Sequence, residues 1–571
     1  MSNRPSLAAR RAIPQAGAKA PTPPNSTGGH SAALPIPDED PKYKWKVLIS
    51  VIFGIFMIIL DSTVVNVAFQ TLRREFGGTL ADSQWVLSVY VLALGITTPM
   101  SGFLGDRFGT KRVSLFGLSL FVAGSLLCGF APSLLLLIVA RAIQGIGGGI
   151  AQPLGPAMLY RAWPLNKIGT ALGYFGIVLT VAPALGPILG GVLIDANIWR
   201  VIFFLNVPIG IIGVFLGSRF LRNEKAPVKP KLDPVGLVLA VIGFGSVLYA
   251  ASIAESNGWT SGPTLTFFAI GVVSLIAFAI VELFVVKEPL LNLRLFKIPV
   301  FLVATLIGYV ATVGLFGAEF LMPLYLQAMR GRSAIDTGLI LLGVALASGI
   351  TTQVAGRLYD RIGPRPIVIV GFVLLVINTW QLAQIQALTS IQWIIFLLVI
   401  RGLGVGLVLQ TTFTTALSAM PRSQLTRGSS LQNSTRFVVQ AVAVAALATV
   451  LVGSISPEVR KMQEQQQAAT VNETAQQARF GICETPGVAP ADNLPLNMAQ
   501  QPDTVRQQAR VTLDRVCEEN IRGYENTYQI TFYACIVALL LAFLLPGWPA
   551  KWLGRTAVPE PGQAPMPLGG H

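Results

Sequence analysis

Fourteen apolar runs alternate with short polar stretches along most of the 571-residue chain. A helix rising about 1.5 Å per residue needs roughly 20 apolar residues to cross the hydrocarbon core of a bilayer. The runs therefore predict membrane-spanning helices at about 46–70, 84–104, 112–130, 133–158, 168–194, 199–220, 234–254, 264–286, 299–327, 335–357, 365–385, 391–417, 427–453 and 527–547. An even number puts both termini on one side. Residues 1–45 are rich in Pro, Ala, Gly and Ser. No apolar core follows Arg10 and Arg11, so a disordered cytoplasmic tail is expected rather than a secretory signal peptide. A second tail is expected at 548–571.

Charge decides orientation. The net charge of +15 would fit a nucleic-acid binder, but the Lys and Arg sit in short connections between apolar runs. There they act as topology determinants. One set of connections carries Arg107, Lys111, Arg112, Arg161, Lys167, Arg219, Arg222, Lys229, Lys231, Arg357, Arg361, Arg365, Arg422 and Arg427, among others. The opposite set carries only Arg73, Arg74, Arg200, Arg330 and Arg332. The first set is expected to be cytoplasmic, with both termini inside and the plasma membrane as the site. A mean hydropathy of +0.62 and 12% charged residues exclude a soluble globular composition.

The last connection, 455–523, is long, polar and rich in glutamine, and is expected outside. It holds Cys483 and Cys517. Two readings stay open: an excursion of part helix and part coil with two idle thiols, or a disulfide permitted by the oxidising side. Sequence does not give the Cα separation that would decide. Cys128 and Cys535 fall in apolar runs and read as buried small residues. His30 and His571 lie in the tails, so no histidine relay or metal centre is expected in the membrane. No P-loop pattern is present, so no nucleotide or other cofactor is expected. An ion gradient is the expected fuel.

The chain repeats itself. Gly102 to Arg112 returns in degraded form as Gly356 to Pro366, and Arg141 to Gly149 returns as Arg401 to Gly406. Counting outward, spans one to six form one bundle (46–220) and spans nine to fourteen another (299–547, with the 455–523 loop). Spans seven and eight are inserted in a 221–298 linker.

At these residues the chain resembles a known family. Gly102 to Arg112 resembles the loop between the second and third helices of the major facilitator superfamily. Leu60 to Ala68 resembles the first-helix motif of its fourteen-helix drug:proton antiporters. Arg141 to Gly148 resembles their fourth-helix arginine motif, and Ala182 to Gly191 their fifth-helix antiporter motif. Two departures stand out. Phe69-Gln70 follows Ala68 where the family motif ends in Leu-Pro, and the 455–523 connection is longer than in most relatives. The resemblance implies an all-α integral membrane protein of the major facilitator fold, with two six-helix bundles plus two extra helices.

Several residues carry candidate chemistry. Asp61 lies about 15 residues past Lys46, roughly 20 Å into the membrane. Burial disfavours a charged carboxyl, the property a proton carrier needs. A structural carboxylate bonded to a neighbouring helix is the alternative. Glu319, on a run with small or polar Gly308, Thr312, Pro323 and Gln327, is a second acidic candidate, or a carboxylate snorkelling outward. Arg141 is membrane-embedded and needs acidic or carbonyl partners; the resemblance links it to proton transfer. Asp106, Arg107 and Arg112, with Gly105 and Gly109 allowing the turn, form a candidate conformational latch, and Asp360 and Arg361 are its second-half counterparts. Ala182, Gly186 and Gly190 make a small-residue ridge, with Pro183 and Pro187 favouring a bend and Gly191 closing the motif. Gln144, Gln152, Asn378, Gln381 and Gln410 are expected to line a central cavity on polarity alone. Glu255 and Glu282, near span ends, read as interfacial.

These readings converge on a proton-coupled exporter of amphipathic, often cationic, drug-like compounds working by alternating access, and not an enzyme. The expected partners are a small-molecule substrate, protons and the bilayer, with an extracytoplasmic adaptor protein in play and a monomeric chain. The rivals are a carrier for one physiological solute, such as a lipid, siderophore or peptide, and a non-transporting receptor or scaffold using the 455–523 loop.

Overall fold

The computed structural model describes residues 41–77, 80–222, 231, 233–454, 456, 481–484, 493–494 and 502–547. The two expected tails and most of the 455–523 connection lie outside the described residues. Those described form helices and connections, with no strand among them. This is the outcome required where lipid offers the backbone no hydrogen bonds.

The first half comprises α1 (Tyr43–Phe76), α2 (Leu80–Phe108), α3 (Thr110–Gly129), α4 (Leu134–Ala151), α5 (Leu154–Ala162), α6 (Ile168–Asp195), α7 (Val201–Phe204) and α8 (Asn206–Phe220). α9 (Pro234–Asn257) and α10 (Gly262–Ile280) follow. The second half comprises α11 (Pro299–Leu324), α12 (Ala334–Ile362), α13 (Pro364–Leu382), α14 (Ile391–Ser418), α15 (Leu425–Gly453) and α16 (Asp503–Ala542). Ser133, Asp233, Ser261, Ser333 and Ser390 cap helix starts through their side-chain oxygens, satisfying amides the helix leaves free.

Twelve spans among the described residues are long and apolar enough to cross a membrane. One joins α4 and α5 across a break at Gln152-Pro153, where proline cannot donate to the ladder. The ninth and fourteenth expected spans are not among the twelve. The ninth falls on α11, whose described apolar stretch is Pro299–Gly314. The fourteenth is the end of α16, a 40-residue helix about 60 Å long. The helical part of the 455–523 connection starts at Asp503 and runs from polar into apolar sequence without a break. Pro183 and Pro187 likewise lie inside a single helix, α6.

The halves meet along two seams, α6 against α12 and α2 against α15. At the first seam, a Cβ on Gly356 would meet the Gly169 carbonyl oxygen at 2.2 Å, so the backbones touch there and only glycine fits. α9 packs on both α2 and α15. Outward-facing Phe116, Phe215, Phe284 and Leu135 are exposed, as lipid-facing side chains should be.

Candidate functional site

Asp61 sits near the middle of α1 with 1% of its surface exposed. Its Oδ2 accepts from Arg141 Nη1 at 2.6 Å. Its Oδ1 accepts from Gln144 Nε2 at 2.8 Å and Asn206 Nδ2 at 2.7 Å. Arg141 and Gln144 are three residues apart on α4, hence on one face of that helix. Asn206 opens α8 and also donates to Ser125 Oγ of α3 at 3.1 Å. The guanidinium is held from other sides too. Arg141 donates through Nε to the Val86 carbonyl at 3.2 Å and through Nη1 to Gln144 Oε1 at 2.8 Å. It lies 4.0 Å from the centre of the Tyr90 ring. Desolvating two ions costs several kcal/mol each, so such a pair persists only with good geometry and satisfied remaining sites. This cluster meets both conditions.

The structure thus brings together Asp61, Arg141 and Gln144. Gln144 is corrected from a cavity wall to a fully buried Asp61 ligand. Asn378 is corrected in the same way: it is fully buried, and its Nδ2 donates to the Leu397 carbonyl at 2.6 Å. It lies beside Arg401, the repeat counterpart of Arg141. Arg401 Nη2 donates to the Gly314 backbone carbonyl at 2.6 Å. Glu319 is five residues further along α11, and its side chain falls outside the described set. Gln410 is 6% exposed and packs on Gly176 of the α6 seam. Its Nε2, Gln381 Oε1 and Gln152 Oε1 have no hydrogen-bond partner among the described residues.

A second cluster ties the halves together at the end where α2 meets α3. Asp106 Oδ2 accepts from Arg427 Nε of α15 at 3.0 Å, with Arg161 Nη2 3.9 Å from Oδ1. Asp360 of α12 accepts from the Gly169 and Thr170 amides of α6 at 2.8 and 2.9 Å and from Thr170 Oγ1 at 2.6 Å. These are first-turn amides, which a helix leaves free and which favour an anion. The partners are therefore not those adjacent in sequence. Arg112 and Arg361 are exposed, and Arg107 stacks near Phe108. Ser101 and Ser430 hydroxyls, 2.6 Å apart, add a further link across the α2–α15 seam.

Gly105 and Gly109 separate in role. Gly109 takes φ 98° between α2 and α3, a value costly for any other residue. Gly105 is helical, and a Cβ there would meet Leu154 at 2.9 Å and Thr426 at 3.1 Å. It serves close approach of the halves, not the turn. In the antiporter motif, Gly186 lies against Thr63 and Gly190 against Val64 and Val67, while Gly191 faces Ile335 of α12. That ridge seats α6 on the turn of α1 that follows Asp61. Pro187 packs beside Gly338 of α12.

Cys483 and Cys517 are joined as a disulfide, with Cα atoms 5.2 Å apart. Ile482 and Cys483 donate from their amides to the Ala328 and Met329 carbonyls, and Glu484 pairs with Arg330. Residues 481–484 therefore strap the α11–α12 connection to α16. Cys128 and Cys535 are free and buried.

Sequence reasoning missed several groups. Asn206 was legible as a lone amide entering an apolar run. Arg427 was read only as a topology charge. Glu282, expected to be interfacial, is fully buried beside Asp233; Glu255's side chain falls outside the described set. Arg436 lies inside the thirteenth apolar run and lines a narrow cavity between α11, α14 and α15 with Gln432, Thr305 and Tyr309. One charge among many apolar residues barely moves a window average, which is why the run hid it.

Comparison with known proteins identifies the family. Residues 51–444 match the family model described as Major Facilitator Superfamily. The chain is 30% identical to the MFS-type transporter YhcA of Bacillus subtilis (strain 168), over 89% of this chain and 94% of that protein. It is 31% identical to the lincomycin resistance protein LmrB of Listeria innocua serovar 6a (strain ATCC BAA-680 / CLIP 11262), over 71% of this chain and 86% of that one. Among solved structures, the proton:xylose symporter XylE superposes with a TM-score of 0.56 at 12% identity, covering 90% of this chain and 98% of that one; this likeness bears on the fold alone. The chain belongs to the major facilitator superfamily, a family of membrane transporters rather than enzymes.

Proposed function

We propose that this protein is a proton-coupled antiporter that exports amphipathic small molecules by alternating access. The observation that carries the reading is the fully buried Asp61–Arg141 pair inside the first half, set in a molecule whose halves are tied at one end by Asp106 and Asp360. A proton arriving at Asp61 Oδ2 competes with Arg141 for the same oxygen. Protonation cancels the counter-charge, while Arg141 retains the Val86 carbonyl, Gln144 and the Tyr90 face. The α1–α4 contact then repacks. α6, seated on α1 through Gly186 and Gly190, carries the change to its seam with α12. The Asp106 and Asp360 bonds break when the halves rock the other way. Proton and substrate favour opposite states, and exchange follows.

In this reading α11 and the apolar end of α16 complete fourteen spans, as two six-helix bundles plus α9 and α10. Lys and Arg gather at the Asp106 end, which the positive-inside rule makes cytoplasmic, with both termini there. The conformation described is then closed toward the cytoplasm. The chain works as a monomer, since the proposed path lies within one chain. The strapped head of α16 is the surface an external adaptor would meet. Resistance proteins among the relatives favour drug-like cargo over a single nutrient. Flux in proteoliposomes against a compound panel, with and without an imposed pH gradient, tests the reading. Uphill, gradient-dependent movement that fails in Asp61→Asn is expected. Gradient-independent flux would refute proton coupling.

A further inference from the structure

Asp233 and Glu282 are buried carboxylates that the proposed coupling path leaves unused. Asp233 caps α9, its Oδ1 accepting from the Gly236 amide at 2.9 Å. Glu282 follows α10 in a widened turn, where the Val286 amide reaches back five residues to the Val281 carbonyl at 3.0 Å. Such π turns are frequent at functional sites. Glu282 is the buried residue of that turn, while Phe284 and Val285 face outward. Glu282 is 0% exposed and Asp233 6%. A Cβ on Gly236 would lie 2.1 Å from Asp233 Oδ2 and 2.9 Å from Glu282 Oε1. Those two oxygens are therefore at most about 5 Å apart, a range in which one negative charge opposes another. Asp233 Oδ2 and Glu282 Oε2 have no hydrogen-bond partner among the described residues. Bare carboxylate oxygens are costly to bury. A proton on one carboxyl supplies a donor to the other and removes one of the charges.

The pair is linked to the Asp106 cluster. Glu282 Oε1 accepts from the Leu290 amide at 3.1 Å, which pins the connection between α10 and α11. Two residues on, Asn292 Nδ2 donates to Gln424 Oε1 at 2.7 Å, and Leu295 packs on Gly428. Gln424 and Gly428 bracket Arg427, whose Nε donates to Asp106 Oδ2 at 3.0 Å. The Arg427 charge also acts on Glu282 through space. In the flanking connections Lys231, Lys287 and Arg294 are exposed, and Glu288 accepts from the Lys231 amide at 2.6 Å. From α2, Asp106 approaches through Arg427.

We propose that Asp233 and Glu282 form a second proton-binding site, and that the proton they share keeps the Arg427–Asp106 bond closed. With the proton in place the pair carries one negative charge, and Glu282 holds Leu290 and the connection to α15 in register. When the proton leaves to water at that end, two charges face each other in a buried space. Their repulsion parts Glu282 from Asp233 and releases the Leu290 amide. The added charge also competes with Asp106 for Arg427. Both effects loosen the start of α15, and the Asp106 end opens. Only the identity of the end that opens is taken from the proposed function; the site shares no residue with the Asp61 cluster.

The site is read by infrared pH-difference spectroscopy on the full chain in nanodiscs, where a protonated carboxyl has its own C=O stretch. Wild type should lose one such band as the pH is raised, and Glu282→Gln should lack it. Asp233→Asn, whose asparagine still caps α9, should hold the proton at least tenfold more weakly, because the neighbouring charge is gone. The latch is read by spin labels on Arg112→Cys and Arg361→Cys, at exposed positions of the two halves. In the wild-type background their separation should lengthen with the pH midpoint of that band. Glu282→Gln, a fixed mimic of the protonated carboxyl, should keep the short separation throughout. No titrating band in wild type, a band that survives in Glu282→Gln, or equal proton affinity in Asp233→Asn would overturn the shared site. A label separation that ignores pH in the wild-type background, which needs no variant of the pair, would overturn its hold on the latch. So would equal lengthening in Glu282→Gln. If site and latch behave as expected but no pH gradient drives flux in proteoliposomes, the export reading fails and this assignment stands; gradient-driven flux with no titrating pair would do the reverse.

Discussion

From sequence alone, Asp61→Asn is expected to lose proton coupling yet fold normally, because the amide has nearly the carboxyl's shape. The structure changes that expectation. Asp61 supplies the counter-charge of Arg141, which is 1% exposed. An Asn side chain can still accept from Gln144 and Asn206 through one oxygen. Its amino group would then face Arg141 Nη1 at a site where the native distance is 2.6 Å, donor against donor. Removing one partner of a buried pair costs about 3–5 kcal/mol. Arg141 keeps a carbonyl at 3.2 Å, Gln144 Oε1 at 2.8 Å and an aromatic face at 4.0 Å, which places the loss near the lower end, about 3 kcal/mol. Removing both charges in Asp61→Asn/Arg141→Met should recover most of that stability, because no buried charge remains uncompensated. The double-mutant cycle, read by SDS titration of purified protein in mixed micelles, isolates the pair. Proton-driven uphill flux should be lost in Asp61→Asn and stay lost in the double variant. If Asp61→Asn is as stable as wild type, the pair does not carry the energy assigned to it. If the stable double variant still builds a substrate gradient, Asp61 is not the proton carrier, and Glu319 becomes the candidate.

The latch predicts that Asp106→Asn weakens the cytoplasmic closure by about 1–2 kcal/mol, a factor of roughly 5–30 in population; cross-linking between cysteines at positions 101 and 430 should slow accordingly, and an unchanged rate would count against the latch. Gly356→Ala puts a methyl 2.2 Å from the Gly169 carbonyl oxygen, so the same end should become more open to thiol reagents, whereas wild-type labelling would show that the seam has room to spare. Reducing Cys483–Cys517, which closes a 34-residue separation, should destabilise the strap by about 4 kcal/mol on chain-entropy grounds; hydrogen exchange at Ile482 and Cys483 amides reads this, and unchanged protection would assign the strap's order to Arg330–Glu484 instead. Cysteine labelling near Lys229 should occur only from the cytoplasm and near Asn493 only from outside; labelling of both from one side would sink the fourteen-span topology.

Twelve of the expected spans were legible in sequence because crossing lipid is a local requirement. Twenty apolar residues must form a helix wherever they lie, and the rule applied to 391–417 needs nothing from the rest of the chain. An internal repeat was legible because the Gly102 and Arg141 motifs recur. Asp61 stood out because a carboxylate deep in an apolar run is costly. Its partners were less so: Arg141 and Gln144 follow 80 and 83 positions later and Asn206 follows 145 later, and only helix packing brings them to one oxygen pair. The latch shows the same limit. Arg107 and Arg112 neighbour Asp106 in sequence, yet a helix turns them away, and Arg427 arrives from 321 residues downstream. The start of α16 escaped the hydropathy pattern because Asp503 to Gly523 is polar. It continues as helix through residues of good helix propensity and pairs such as Glu518–Arg522 at 2.6 Å, with Val516 and Tyr524 buried against the second half. Sequence by itself fixes which segments must be helical and where charge is expensive. Which charge answers which depends on how the helices cross, and that geometry exists only in the folded bundle.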